Sequence, residues 1–175
     1  MKKLFGCVLA FVLSVGAASA SEIYLGGRTF VGYGTISTGA NSDEGVITNS
    51  ALTPGASFFA KFDFVEKGIF TFGIRPELML GYDIFLTSQN SGSFYFGLRC
   101  PAMFEFRITD FFSLGVGAGF AWNQIIYFGP TADVYATFAV GPGQILIDCS
   151  FDATFALFIL PRCESILSVG YQWKL

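Results

Sequence analysis

Residues 111–122 read FFSLGVGAGFAW, and the period of this stretch decides between a membrane helix and a strand. Gly115 and Gly119 have the G-x-x-x-G spacing of packed membrane helices, within an uncharged run from Phe111 to Ala132. Gly117 falls between them, so small residues recur at every second position, while Phe112, Leu114, Val116, Ala118, Phe120 and Trp122 take the alternate ones. A period of two belongs to a strand, whose side chains point to opposite faces in turn. No later segment supplies the roughly twenty consecutive apolar residues of a Leu-rich spanning helix.

The same alternation divides the rest of the chain into crossings of the length a membrane barrel needs, about 9 to 11 residues or somewhat more. In the first, Glu22 to Tyr33, Ile23, Leu25, Val31 and Tyr33 share one face, and Glu22, Gly26, Arg28 and Gly32 the other. The second, Gly55 to Val65, sets Phe58, Ala60, Phe62 and Phe64 against Ser57, Lys61 and Asp63. The third, Ile69 to Phe85, opposes Phe70, Phe72, Ile74, Leu78, Leu80 and Tyr82 to Thr71, Arg75, Glu77 and Asp83. The fourth, Phe94 to Arg107, opposes Phe94, Phe96, Leu98, Ala102, Phe104 and Phe106 to Tyr95, Arg99, Glu105 and Arg107.

The fifth is the stretch quoted above, with Ser113 and its three glycines on the polar side. The sixth, Ala132 to Val140, turns Asp133, Tyr135 and Thr137 inward, and the seventh, Ile145 to Leu157, does the same with Asp148, Ser150, Asp152 and Thr154. The eighth, Ser165 to Leu175, alternates Leu167, Val169, Tyr171, Trp173 and Leu175 with Ser168, Gly170, Gln172 and Lys174. Pro76 and Pro101 fall inside the third and fourth strands, where the missing N–H predicts bulges.

Parity of the connections tests this division, since paired strands keep one numbering parity on a face only across an odd loop. Glu66-Lys67-Gly68 and Ile108-Thr109-Asp110 are odd, with odd positions inward on both flanks; Pro142-Gly143 is even, where the inward parity switches. The longer connections, 34–54, 86–93, 123–131 and 158–164, alternate with the short ones. Together these features predict an all-β, eight-stranded antiparallel up-and-down transmembrane β-barrel.

Upstream, Lys2 and Lys3, the apolar run Leu4 to Val15 and Ala18-Ser19-Ala20 make the three parts of a secretory signal. Residues 1–20 are therefore expected to be a cleaved signal peptide and 21–175 a single barrel domain. A lipoprotein cleavage ahead of Cys7 would leave almost no apolar stretch before it. Without Lys2 and Lys3, eight bases face thirteen acids, a balance that gives nucleic acid no purchase. The 53 % hydrophobic content, 22 Phe and 21 Gly suit a protein whose solvent is partly lipid.

Over residues 21–175 the pattern resembles the small eight-stranded outer-membrane barrels, the OmpX, OmpW and OmpA transmembrane-domain group. The resemblance lies in architecture and implies an outer-membrane site, outer-membrane lipids and the barrel-insertion machinery as partners, loops outside and both termini periplasmic. Its members end on an aromatic residue, whereas this chain ends Tyr171-Gln172-Trp173-Lys174-Leu175. A soluble lipocalin-type barrel would carry the opposite polarity, apolar within and polar without.

The lumen of eight strands is only wide enough for side chains. Arg28, Lys61, Asp63, Arg75, Glu77, Asp83, Arg99, Glu105, Arg107, Asp133, Asp148 and Asp152 are expected to meet there as a mixed-sign network. Tyr33, Tyr82 and Trp122 are expected to mark one membrane interface, and Trp173 with Phe64, Phe70, Phe106 and Phe112 the other.

The chain has no His, the usual base of barrel hydrolases, so no catalytic residue is assigned. No cofactor or metal is expected either; Asp43 and Glu44 are adjacent acids of a solvated loop. Cys100 and Cys149 are expected to face lipid on non-neighbouring strands, and Cys163 to lie in an exterior loop. The Gly-, Ser-, Thr- and Asn-rich loop 34–54 is the candidate for host or surface ligands. Two functions fit: a barrel whose loops serve adhesion, host contact or envelope integrity, and a narrow porin-like conduit for small apolar molecules past Gly115, Gly117, Gly119 and Ala121.

Overall fold

Alternating apolar and polar residues, rich in Phe, Val, Ile and Thr, favour the pleated extended chain, and the protein is built from strands joined by turns. The computed structural model describes residues 20–41, 45–86, 92–124, 126–156 and 160–175. Its strands are β1 (Glu22–Asn41), β2 (Gly45–Lys67), β3 (Phe70–Ile74), β4 (Glu77–Phe85), β5 (Gly92–Arg107), β6 (Phe112–Asn123), β7 (Tyr127–Val140), β8 (Gly143–Ala156) and β9 (Leu160–Lys174). Each pairs antiparallel with its neighbours, and β1 pairs with both β2 and β9, which closes the sheet on itself. β3 and β4 both lie between β2 and β5, so they form one stave and the ring has eight.

Closure fixes a stagger. The pairs run Glu22, Asp63, Gly73, Met103, Gly117, Asp133, Ser150, Ile166 and back to Gly32, ten residues further along β1. Such a shear tilts the strands by about 40° to the barrel axis.

The outward row is apolar, with Val31, Phe58, Leu80, Phe94, Val116, Phe120, Val134, Phe151 and Leu167 among its exposed members. Aromatic residues recur at both of its edges. Phe96 and Phe106, Phe112 and Trp122, and Phe128 and Phe138 are each ten residues apart on one strand. At about 3.3 Å per residue and this tilt, that separation is about 25 Å, the height of a lipid-facing band. Tyr33, Tyr82 and Trp122 lie toward the end opposite the chain termini and Trp173 near the termini; the first two and Trp173 are exposed.

The two strand prolines act differently. At Pro76 the strand breaks between β3 and β4, but the register continues: Ala60 N–H donates to the Pro76 carbonyl at 3.1 Å. Pro101 stays inside β5 opposite Gly119 with no register shift, and its carbonyl accepts from Arg75 N–H at 3.0 Å. Neither bulges; each forgoes only the hydrogen bond its ring nitrogen cannot donate. The irregularity sits instead on β2, between Asp63 and Val65.

That bulge corrects the first turn. Lys67 pairs with Phe70, so the turn is Gly68-Ile69, not Glu66 to Gly68, and the extra residue at the bulge restores the odd parity. The β7–β8 turn is likewise Gly141-Pro142, since Val140 pairs with Gly143. Gly141 takes φ +60°, and Pro after it is held near −65°, the combination of a type II′ hairpin turn that suits the twist of the strands.

The largest departure from expectation is at residues 34–54. β1 and β2 remain paired through this segment, up to Asn41 opposite Gly45, with one register shift between Thr38 and Ala40. β9 leaves β1 at Ile36 and β4 leaves β2 at Ala51, so the upper part is a two-stranded ribbon standing above the ring. β-branched residues (Thr35, Ile36, Val46, Ile47, Thr48) carry the strands through a composition otherwise typical of loops. Asp43 and Glu44 lie outside the described residues. The connections at 123–131 and 158–164 are also shorter than expected, because β7 begins at Tyr127 and β9 at Leu160. Cys163 consequently lies on β9, half-buried, while Cys100 and Cys149 are exposed on the outer face; all three are free thiols.

Candidate functional site

Inward residues stack in alternating apolar and ionic layers, and chain order along the staves sets their sequence. Reading β2 from the end that carries the termini, the inward residues are Asp63, Lys61, Phe59, Ser57, Thr53 and Ala51; reading β4 the same way they are Glu77, Met79, Asp83 and Phe85. The first layer is ionic: Lys61 Nζ donates to Glu105 Oε2 at 2.8 Å and lies 3.2 Å from Asp63 Oδ2. Above it Phe59, Met103, Tyr135 and Leu146 form an apolar cluster.

The middle ionic layer is the largest. Arg28 forks onto both carboxylate oxygens of Glu77 and lies 3.0 Å from Asp148. Arg75 donates to Asp148 at 2.6 Å, and Arg99 to Asp133 at 2.7 Å and Thr131, with Asp152 3.1 Å away. All of these side chains are almost fully buried. A second apolar cluster, Phe30, Met79, Tyr95 and Ile166, closes over it.

In the third ionic layer Arg162 donates to both oxygens of Asp83, at 2.9 and 3.0 Å, and to Glu164 at 2.8 Å, while its guanidinium lies 4.7 Å from the Tyr95 ring centre. Thr53 and Gln124 also donate to Asp83. Ile36, Ala51, Tyr127 and Ala156, with Phe85 and Leu160 against them, cap the column where the ribbon begins.

Eleven of the twelve charged residues assigned to the lumen from the sequence are buried there. Arg107 is not: it stands exposed at the rim near the termini and donates to Glu66 at 2.7 Å. Parity placed it on the inner face, but β5 ends at this residue, and beyond the end of the wall an inward side chain meets water. Arg162 and Glu164 join this core from 158–164, a stretch whose sequence reads as a connection and which the structure folds into β9. The alternation of the last strand does extend back to them: Arg162, Glu164, Ile166 and Ser168 are buried at every second position.

Among the described residues, five bases and eight acids are buried. Each ionic layer holds one acid more than its bases, so a mixed-sign core is also an acidic one. Burial of charge is tolerable only with partners, and the three arginines of the middle layer bridge four acids from three different staves.

The glycines of β6 do not open a passage. A Cβ on Gly115 would run into the Tyr135 ring, and one on Gly117 would lie 2.7 Å from Met103 Sδ. The space they spare is used by large neighbours from adjoining staves. Gly115→Val is expected to cost about 1–3 kcal/mol by overpacking, measurable as a lowered urea midpoint of the refolded barrel. An unchanged midpoint would mean that Tyr135 swings away and that the layer is loose.

Apolar outside, ionic inside and closed by eight antiparallel staves, the chain has the fold of a small outer-membrane β-barrel. Among solved structures it is similar to Neisserial surface protein A, at 11 % identity over 87 % of this chain and 97 % of that one, with TM-score 0.57. It also matches the attachment invasion locus protein Ail of Yersinia pestis (13 %, 87 % and 99 %, TM-score 0.49) and a de novo designed transmembrane β-barrel (15 %, 87 % and 95 %, TM-score 0.45). No protein-family model matches the chain, and neither does any curated protein.

Proposed function

We propose that the protein is exported by residues 1–20, inserts in the outer membrane with its termini toward the periplasm, and works through its surface, the β1–β2 ribbon acting as the contact element for a host or envelope partner. The observation that carries this reading is the filled lumen: three apolar clusters cross it in series, leaving the ribbon as the feature the wall does not need. A membrane crossing takes about 9–11 residues, whereas β1 and β2 have 20 and 23. The surplus stands at the end opposite the termini.

The ribbon is tested by replacing Thr38–Ile47 with Asn-Gly, which closes the paired Ser37 and Thr48 with a favoured hairpin turn. Heat-modifiable migration is expected to stay as in the parent protein while adhesion to host cells or envelope partners falls to background. Adhesion that survives the replacement refutes the ribbon's role. The alternative of a narrow conduit for small apolar molecules would require these clusters to part. Planar-bilayer recordings and liposome uptake are expected to show neither conductance nor solute flux, and steady single-channel steps would favour the conduit.

A further inference from the structure

The bulge on β2 parts two neighbouring charges. A regular strand would continue the parity that turns Lys61 and Asp63 inward, and Lys67 would follow them. The residue inserted between Asp63 and Val65 reverses the parity beyond it, as bulges do when they re-aim a side chain. Glu66 pairs with Thr71, and both line the mouth of the lumen. Lys67 pairs with Phe70, and Phe70 with Phe106, their ring centres 5.6 Å apart. Cross-strand partners share a face, so Lys67 stands on the outer wall, beside the aromatic girdle at the end that carries the termini.

No other charge shares that face. Among the described residues every other charged side chain is buried in the lumen, lines its mouth or, as with Lys174 on Glu22, pairs with one that does. Lys67 is exposed and makes neither an ion pair nor a hydrogen bond among the described residues.

The turn that follows adds donors. Gly68 reverses the chain at φ +63°, and nothing beyond its chain neighbours lies within 4 Å of where its Cβ would be. Neither the Gly68 nor the Ile69 N–H has an acceptor among the described residues. The other short turns lack this combination. After Arg107 the Ile108 and Thr109 N–H groups donate to the Phe112 carbonyl, and the turn carries Asp110. Gly141-Pro142 has no charge, and its proline has no N–H.

A lysine at the edge of a lipid-facing wall lays its stem along apolar surface and its ammonium among the headgroups, where phosphate is the counter-charge. The neighbours of this one are the rings of Phe70 and Phe106, not further bases, which suits an anion carried on acyl chains better than one free in water. We propose that Lys67, with the Gly68 and Ile69 N–H groups, binds the phosphate of one anionic phospholipid in the leaflet at this end of the barrel, and that the β2 bulge is the device that places it there.

The test uses the full barrel folded in nonionic detergent and titrated with phosphatidylglycerol or with phosphatidylcholine of the same acyl chains, bound lipid being counted by native mass spectrometry. One phosphatidylglycerol is expected to be held about fivefold more tightly than phosphatidylcholine, the increment of one base at an anionic surface. Lys67→Gln is expected to remove that preference and Lys67→Arg to keep it. Lys174→Gln, at the same end but committed to Glu22, is expected to change it less than about twofold.

Equal binding of the two lipids, a preference that survives Lys67→Gln, or an equal loss in Lys174→Gln each overturns the proposal. Ammonium phosphate that displaces the lipid better than ammonium acetate of equal ionic strength overturns it too, by assigning the site to free phosphate. Should Lys67→Gln fail the heat-modifiability test for folding, Lys67→Met keeps the apolar stem without the charge, and a preference retained in that variant is equally fatal.

Discussion

Arg99→Met is expected to destabilise the barrel by about 3–5 kcal/mol, the cost of leaving buried charge without its partner. Arg99 serves Asp133 at 2.7 Å, Asp152 at 3.1 Å and Glu77 at 3.9 Å. Glu77 retains Arg28, and Asp133 retains Arg75 at 3.8 Å. Asp152 has no other ion pair among the described residues, and neither of its oxygens accepts a hydrogen bond. The loss therefore falls on one carboxylate in the low-dielectric centre. Urea unfolding from lipid vesicles measures it as a lowered midpoint. If the explanation is correct, adding Asp152→Asn to Arg99→Met restores a large part of the loss, because the orphaned charge leaves with its partner. A double variant no better than the single one would mean that Arg99 acts through packing alone.

The staves, their inward and outward faces and the polarity of the wall were legible in the sequence because all three follow from a period of two, which is local. Depth was not. Whether two inward residues meet is set by the ten-residue stagger of the closed ring, which no single strand records. The sequence thus places Arg75 and Asp148 on the same side of their staves without revealing that they lie 2.6 Å apart. Arg107 departs from the lumen for the same reason: its parity gives the inner face, but its height is beyond the wall. The β1–β2 ribbon failed differently. Gly, Ser, Thr and Asn at 34–54 signal a loop by composition, but two such segments that pair with each other supply the ladder that neither has alone. Arg162 and Glu164 stand in a stretch that reads as a connection, although they alternate with Cys163 and Ser165 as strand residues do.

Val116→Arg is expected to cost about 2–4 kcal/mol, the penalty for a basic side chain at the bilayer midplane on the lipid face. Val116 is 48 % exposed on β6, between the girdle residues Phe112 and Trp122 of the same strand. On a barrel with water outside, an exposed valine replaced by arginine would change stability by less than about 0.5 kcal/mol, so the substitution reads the solvent of the outer face directly. Val140→Arg supplies the control, since Val140 is similarly exposed but adjoins the turn at Gly141, where a long basic side chain reaches the interface and the expected cost is about 0–1 kcal/mol. The ratio between the two positions, measured by urea unfolding from the same vesicles, is the telling quantity. Burial in the lumen would penalise neither, because both side chains point away from it, and a general intolerance of charge would penalise both alike. Only lipid around the middle of the wall makes the cost depend on depth.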